Sequence, residues 1–220
     1  MNPADFLSPG HFIDSTSPVI IEFTQRNIAD LRTVPERAVA LYHAIRDGIL
    51  YDPYVDFSDQ KNFRASSVLA AGRGFCVGKS ALLAAAARAA NIPARVGYAD
   101  VRNHLTSARL YERIKTDVFI WHSYADLCVC GRWVKATPAF DLALCERLGL
   151  QPLEFDGRSD SLFHPFDRGG RRHMEYLRDR GAFVDVPVDA IQADFRVAYP
   201  TLMIGSALSG DFRSEARAAD

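Results

Sequence analysis

The chain has 220 residues, 48% hydrophobic and 24% charged, and its 27 acidic side chains nearly balance its 26 Lys and Arg, for a net charge of −1. That length fits one domain with a sizeable core, and the charge balance argues against nucleic acid or an anionic membrane as partner. No run reaches the roughly 18 apolar residues of a membrane-spanning helix, and the opening MNPADFLSPGHFIDSTSP lacks the basic and apolar regions of a secretory signal, so a cytoplasmic location is expected.

The chain reads as a single domain over 1–220, with an N-terminal arm over 1–32, a core over about 35–141 and a C-terminal extension over 142–220. In the arm the one apolar run, Val19 to Phe23, reads as a strand or as an arm laid over the core. Thr33-Val34-Pro35-Glu36 then opens a helix: Thr33 can cap, Glu36 closes a capping box, and Pro35 is tolerated in the first turn. Leu41, Ile45 and Ile49 give that helix a buried stripe. Residues 51–64 are polar and aromatic without period and read as a loop, and Ser66-Ser67 begins a short helix ended by Gly72. An alanine-rich helix follows from Val77 to Ala90, stopped by Asn91 and Pro93. Residues 94–101 and 116–137 supply at least three strands, with a hairpin turn at Gly131. The fold class is therefore α+β, helices packed on an antiparallel sheet. Beyond Asp141 the pattern weakens. Residues 151–173 read as an ordered excursion or lid, Arg172 to Arg180 as a helical patch ended by Gly181, and Val188 to Ala198 as a last helix. The tail from Ser206 is expected to fray.

Chemistry concentrates in two blocks. Residues 72–98 read GRGFCVGKSALLAAAARAANIPARVGY, which delivers Cys76 from a Gly-rich loop onto the first turn of the alanine helix. Unpaired N–H groups and the helix dipole favour thiolate there, and such settings can lower a thiol pKa into the range ~3.5–7.5. The second block, Trp121 to Asp141, reads WHSYADLCVCGRWVKATPAFD and places His122 on a β-like run. A cysteine at a helix start, a histidine on a neighbouring strand and a third orienting group make the general arrangement for covalent acyl transfer.

These blocks resemble the transglutaminase-like (papain-related) superfamily of bacterial cysteine hydrolases and proteases. The resemblance rests on Gly74-Phe75-Cys76, on Ile92 to Tyr98, on His122-Ser123-Tyr124 and on Gly131-Arg132-Trp133-Val134, in the family's order and separation. It implies a papain/transglutaminase-like core with the Cys-bearing helix on an antiparallel sheet, and a Cys–His–Asp triad whose first members are Cys76 and His122. The family's Asp-Pro falls where this chain has Thr137-Pro138. Asp141 is the favoured third member and Thr137 the alternative. Asp126, four residues past His122 on one strand, would lie ~13 Å away at ~3.3 Å per residue, too far for contact.

Asp100, Asn103, His104 and Tyr124 form the expected substrate rim, although Asp100 to His104 also read as a capped turn in a surface loop. His164, His173 and Asp167 read as ordinary polar surface, Arg171-Arg172 as a solvated pair, and Trp133 as core. Cys128 and Cys130 fall on one face of a strand; a zinc reading would add Cys145 and a histidine, but with no second C-x-x-C knuckle they read as buried apolar thiols. The expected function is thiol-dependent acyl transfer on a protein, peptide or amide-containing small molecule, as a cysteine protease, an amidase or a protein-glutamine transglutaminase. No cofactor is expected. The alternative is an inactive binding or scaffold module that keeps the fold, which the absent carboxylate at position 137 favours.

Overall fold

The computed structural model describes residues 2–104, 108–163, 166–202 and Phe212; His164 and the tail from Ser206, apart from Phe212, lie outside them. Helix α1 spans Pro18–Ile28, so the run Val19 to Phe23 is a helix turn and a half deep, not a strand. Pro18 presets the first helical residue and the β-branched Ile20 turns inward, buried against the core. Helix α2, Val34–Gly48, begins as its sequence requires: Glu36 N–H donates to the Thr33 hydroxyl at 3.4 Å, and the Glu36 carboxylate accepts from Thr33 N–H at 3.0 Å. Leu41, Ile45 and Ile49 are all buried.

Strand β1, Leu50–Tyr51, pairs in parallel with β2, Arg73–Gly74, on either side of a loop that holds one 3-10 turn and α3, Ala65–Ala71. Gly72 ends α3 at φ 64°, the left-handed region where glycine costs least. Helix α4, Cys76–Ala89, is buried all round from Val77 to Arg88. Alanines let the sheet, α1, α2 and α3 approach its axis, and at Gly78 a Cβ would meet the Asn62 carbonyl at 2.6 Å. Its C-terminus is a Schellman turn: Asn91, at φ 59°, donates to Arg88 O at 2.9 Å, and Ile92 donates to Ala87 O at 2.8 Å.

Four antiparallel strands complete the α+β fold in the order β5-β4-β3-β6. They are β3, Ala94–Asn103; β4, Val118–Val129; β5, Arg132–Ala136; and β6, Met174–Phe183. Ala99 faces His122 across β3 and β4, and Ala125 faces Ala136 across β4 and β5. A short α5, Ala108–Ile114, separates β3 from β4; α6, Leu142–Arg147, and α7, Val188–Ala198, lie later in the chain. Residues 174–183 are therefore an edge strand rather than a helical patch. Most of the strand is exposed, although Arg180 turns inward, and Gly181, at φ 84°, sits at a register shift against β3 rather than at a helix end.

Cys130 also departs from expectation. It stands in the β4–β5 turn at φ 51° and is exposed, while Cys128 and Cys145 are buried. Trp133 is half-buried, with the Arg95 guanidinium 4.2 Å above its ring. His173 and Asp167 are buried, not surface: the His173 ring lies 5.6 Å from that of Phe163, and Asp167 accepts from Arg171. Among the described residues no helix is long and apolar enough to cross a membrane.

Candidate active site

Cys76 is the first residue of α4, where the strand-like Phe75 turns the chain into the helix. Its sulfur lies at the seam with β4, where the backbone N–H groups of Ser123, Val77 and Cys76 itself favour its anion. Burial outweighs them and pushes the thiol up to about 11. The lowering expected from the helix start is thus overridden, because close packing removes the water that would solvate a thiolate.

His122 comes from the middle of β4, and its ring lies 5.0 Å from that of Phe163. Burial first and the electrostatic influence of His173 second lower its pKa to about 4. Near pH 7 the two groups are therefore thiol and neutral imidazole. They line one partly open cavity of about 60 Å³, walled on β4 by Phe119, Ile120 and Trp121 and elsewhere by residues of α5 and α7.

Four consecutive residues, 119 to 122, could not all face one space on a regular strand, whose side chains alternate. The interruption is Trp121, at φ 59°, a conformation costly for a large side chain. Three contacts hold it there. Its N–H donates to Asp100 Oδ1 at 3.1 Å, its indole N–H donates to Asp194 Oδ2 at 2.8 Å, and the Arg180 guanidinium stacks 4.4 Å from the ring. Arg180 also pairs with both carboxylates. Asp100 thus supports the backbone that presents His122; it does not line the cavity.

The other expected site residues are more scattered. The Asp141 carboxylate is buried and caps α6, accepting from Leu144 N–H at 3.0 Å. Thr137 is buried, with its N–H on Ser161 O, its carbonyl accepting from the Tyr42 hydroxyl, and its own Oγ1 without a partner among the described residues. His122 Nε2 is in the same state. Asp126 is held by Arg95 at 2.8 Å. Asn103 donates through its backbone to Asp117 O, and Tyr124 lies across Gly97 beneath the Lys135 ammonium. His104 is separate from the Cys76 cavity. It lines an open cavity of about 430 Å³ with Phe163, Arg172 and Tyr176, its Nε2 3.3 Å from Glu175.

Sequence reasoning did not single out Phe163, Phe195 or Tyr199 as neighbours of the site. Phe195 and Tyr199 belong to the last helix and its end, and only the long-range fold brings them to β4. Among the described residues no cluster of three His, Cys, Asp or Glu side chains could hold a metal.

The fold sets a cysteine at a helix start against a histidine on the adjoining antiparallel strand. The family model of the transglutaminase-like superfamily matches residues 21–138, more than half of the chain, and the chain belongs to that superfamily. A crystal structure described as a "Putative Cysteine Protease" from Cytophaga hutchinsonii superimposes with a TM-score of 0.52 at 16% identity, over 84% of this chain and 48% of that one. The chain therefore spans about half the length of that relative. A second structure, described as a "Putative Protease" from Parabacteroides distasonis, gives a TM-score of 0.40 at 18% identity, over 64% and 27% of the two chains. No curated protein matches.

Proposed function

We propose that the protein is a thiol-dependent acyl-transfer enzyme acting on an amide bond, with Cys76 as nucleophile and His122 as base. The observation that carries this reading is the shared cavity, which holds both side chains against the helix start. Because thiol and imidazole rest uncharged, the proton passes from Cys76 to His122 as sulfur attacks the carbonyl carbon, rather than beforehand. The Cys76 N–H stabilises the developing oxyanion, a contribution that can be worth ~2.7–4 kcal/mol. The C–N bond breaks, His122 protonates the departing amine, and a thioester remains on Cys76. Water activated by His122 then releases the acid.

Hydrolysis, as a protease or amidase, is favoured over transfer to an amine as in a transglutaminase, and the substrate is a protein, a peptide or an amide-bearing small molecule in the cytoplasm. Of the two candidates for the orienting role, Thr137 has the unpartnered buried hydroxyl, while Asp141 serves as a helix cap.

The scaffold reading draws its support from the same neutral pair, which lacks a preformed thiolate. Iodoacetamide labelling across pH 4–9, followed peptide by peptide, separates the two, with exposed Cys130 as internal reference. The enzyme reading expects Cys76 to label ahead of Cys128 and Cys145, and His122→Ala to slow Cys76 at least tenfold while Cys130 is unchanged. A Cys76 rate indifferent to His122→Ala would leave the scaffold module standing.

A further inference from the structure

The cavity beside Cys76 has a wall that thiol chemistry alone does not require. Apart from Cys76 and His122 it is aromatic or aliphatic, including Phe57, Leu110, Ile114 and Phe195, and among the described residues no Asp, Glu, Lys or Arg side chain lines it. Two of its amphipathic rings have their polar tips bonded elsewhere. The Tyr199 hydroxyl donates to Val118 O and accepts from Ile120 N–H, both at 2.7 Å, and the Trp121 indole N–H is held by Asp194. An ion entering this space would lose its hydration and find no counter-charge. Uncharged apolar groups meet no such cost.

Size narrows the choice further. The space of about 60 Å³ is well under the ~150 Å³ of a cavity that holds benzene. A few carbons fit it and an aromatic ring does not. The order of departure decides which half of the substrate sits there. The leaving group must depart before the second half-reaction, whereas the acyl group stays bonded to sulfur until the end.

We propose, resting on the reading of Cys76 as nucleophile, that this cavity is the acyl subsite and accepts a short, uncharged aliphatic acyl group. In the reaction the Cys76 sulfur bonds to the acyl carbon and the bond to the leaving group breaks. The thiol proton passes through His122 to that group, and water then converts the thioester to the free short-chain acid and restores the thiol.

The test uses the full chain and four p-nitrophenyl esters, acetate, butyrate, decanoate and hemisuccinate, the last carrying a carboxylate on the same four-carbon acyl frame as butyrate, with the hexanoate added where the native chain is compared with Ile114→Ala. Acylation is read as the nitrophenolate burst and as acyl mass on the Cys76 peptide. Butyryl is expected to acylate Cys76 about tenfold faster than acetyl, from two further buried methylenes, and decanoyl and hemisuccinyl at least tenfold more slowly than butyryl. Ile114→Ala, which widens the wall, is expected to move the optimum to hexanoyl. Acylation of Cys76 at rates within threefold across the four esters would overturn the subsite and leave the thiol reading intact. An unchanged order in an Ile114→Ala protein with native circular dichroism would overturn it too. If no ester acylates Cys76, the reading and the subsite fall together.

Discussion

At the corner where α2 meets α4, Lys79 is fully buried, and its ammonium donates to the carbonyls of Arg46 and Ile49 at the end of α2. Arg88, near the other end of α4, is likewise buried and donates to Ser8 O, Ala94 O and Val184 O. The α4–β4 seam is finished differently. The Tyr98 and Ser123 hydroxyls, near enough to interact, make no well-formed hydrogen bond, and His122 Nε2 has no partner among the described residues. A buried polar group left unsatisfied costs roughly 1–3 kcal/mol. Charges that hold the fold together are saturated, whereas polar atoms near Cys76 are held ready at a cost in stability. Such exceptions cluster where a protein binds or reacts.

Three measurements bear on that contrast. The largest effect is expected from Cys76→Ser, which should reduce acylation in the ester assay by a factor of a thousand or more. Because only one atom changes, the thermal midpoint should stay within about 2–3 °C; a larger fall would place Cys76 among the structural groups instead. Lys79→Met should act in the opposite sense. It strips the donor from two buried carbonyls and is expected to cost about 3 kcal/mol in denaturant unfolding, while the Cys76 labelling rate of the folded protein is unchanged. A cost below about 1 kcal/mol would dissolve the distinction between the two regions.

The third effect is pH dependence. His122 titrates near 6.5 when unfolded and at about 4 when folded. Between those values the unfolded chain binds the extra proton. The contribution of the neutral imidazole is therefore full above pH 6.5 and is lost as pH falls toward 4, by about 2–3 kcal/mol. Urea midpoints at pH 7, 5 and 4 should show this loss, and His122→Asn should remove it. An unchanged slope in that variant would mean that another group titrates.

What was legible in the sequence was local. The Thr33–Glu36 box, the stop at Gly72, the Schellman turn at Asn91 and the hairpin at Gly131 are each written within a few residues, and each is observed. Residues 174–183 were misread because their strand character comes from pairing with β3, some eighty residues earlier, and a mostly exposed edge strand leaves no apolar alternation to see. The run Val19 to Phe23 failed for a related reason, since β-branched residues suggest a strand until Pro18 is read as a first helical residue. At the site, Cys76 and His122 were legible as a pair because two motif blocks stand in order. Their charge state was not. The helix start alone predicts a thiolate, and only the packing of strands and helices around the sulfur reverses that prediction.

Trp121 adds a consequence of another kind. A large residue in the left-handed region costs of order 1–3 kcal/mol, so at this position local preference and the global fold are in conflict. Glycine would relieve the backbone, yet it would also remove a wall of the cavity and the ring on which Arg180 stacks. Selection for robustness alone would drift toward such a replacement. A tryptophan here marks a point where the chain favours the shape of a small chamber over the ease of its own folding.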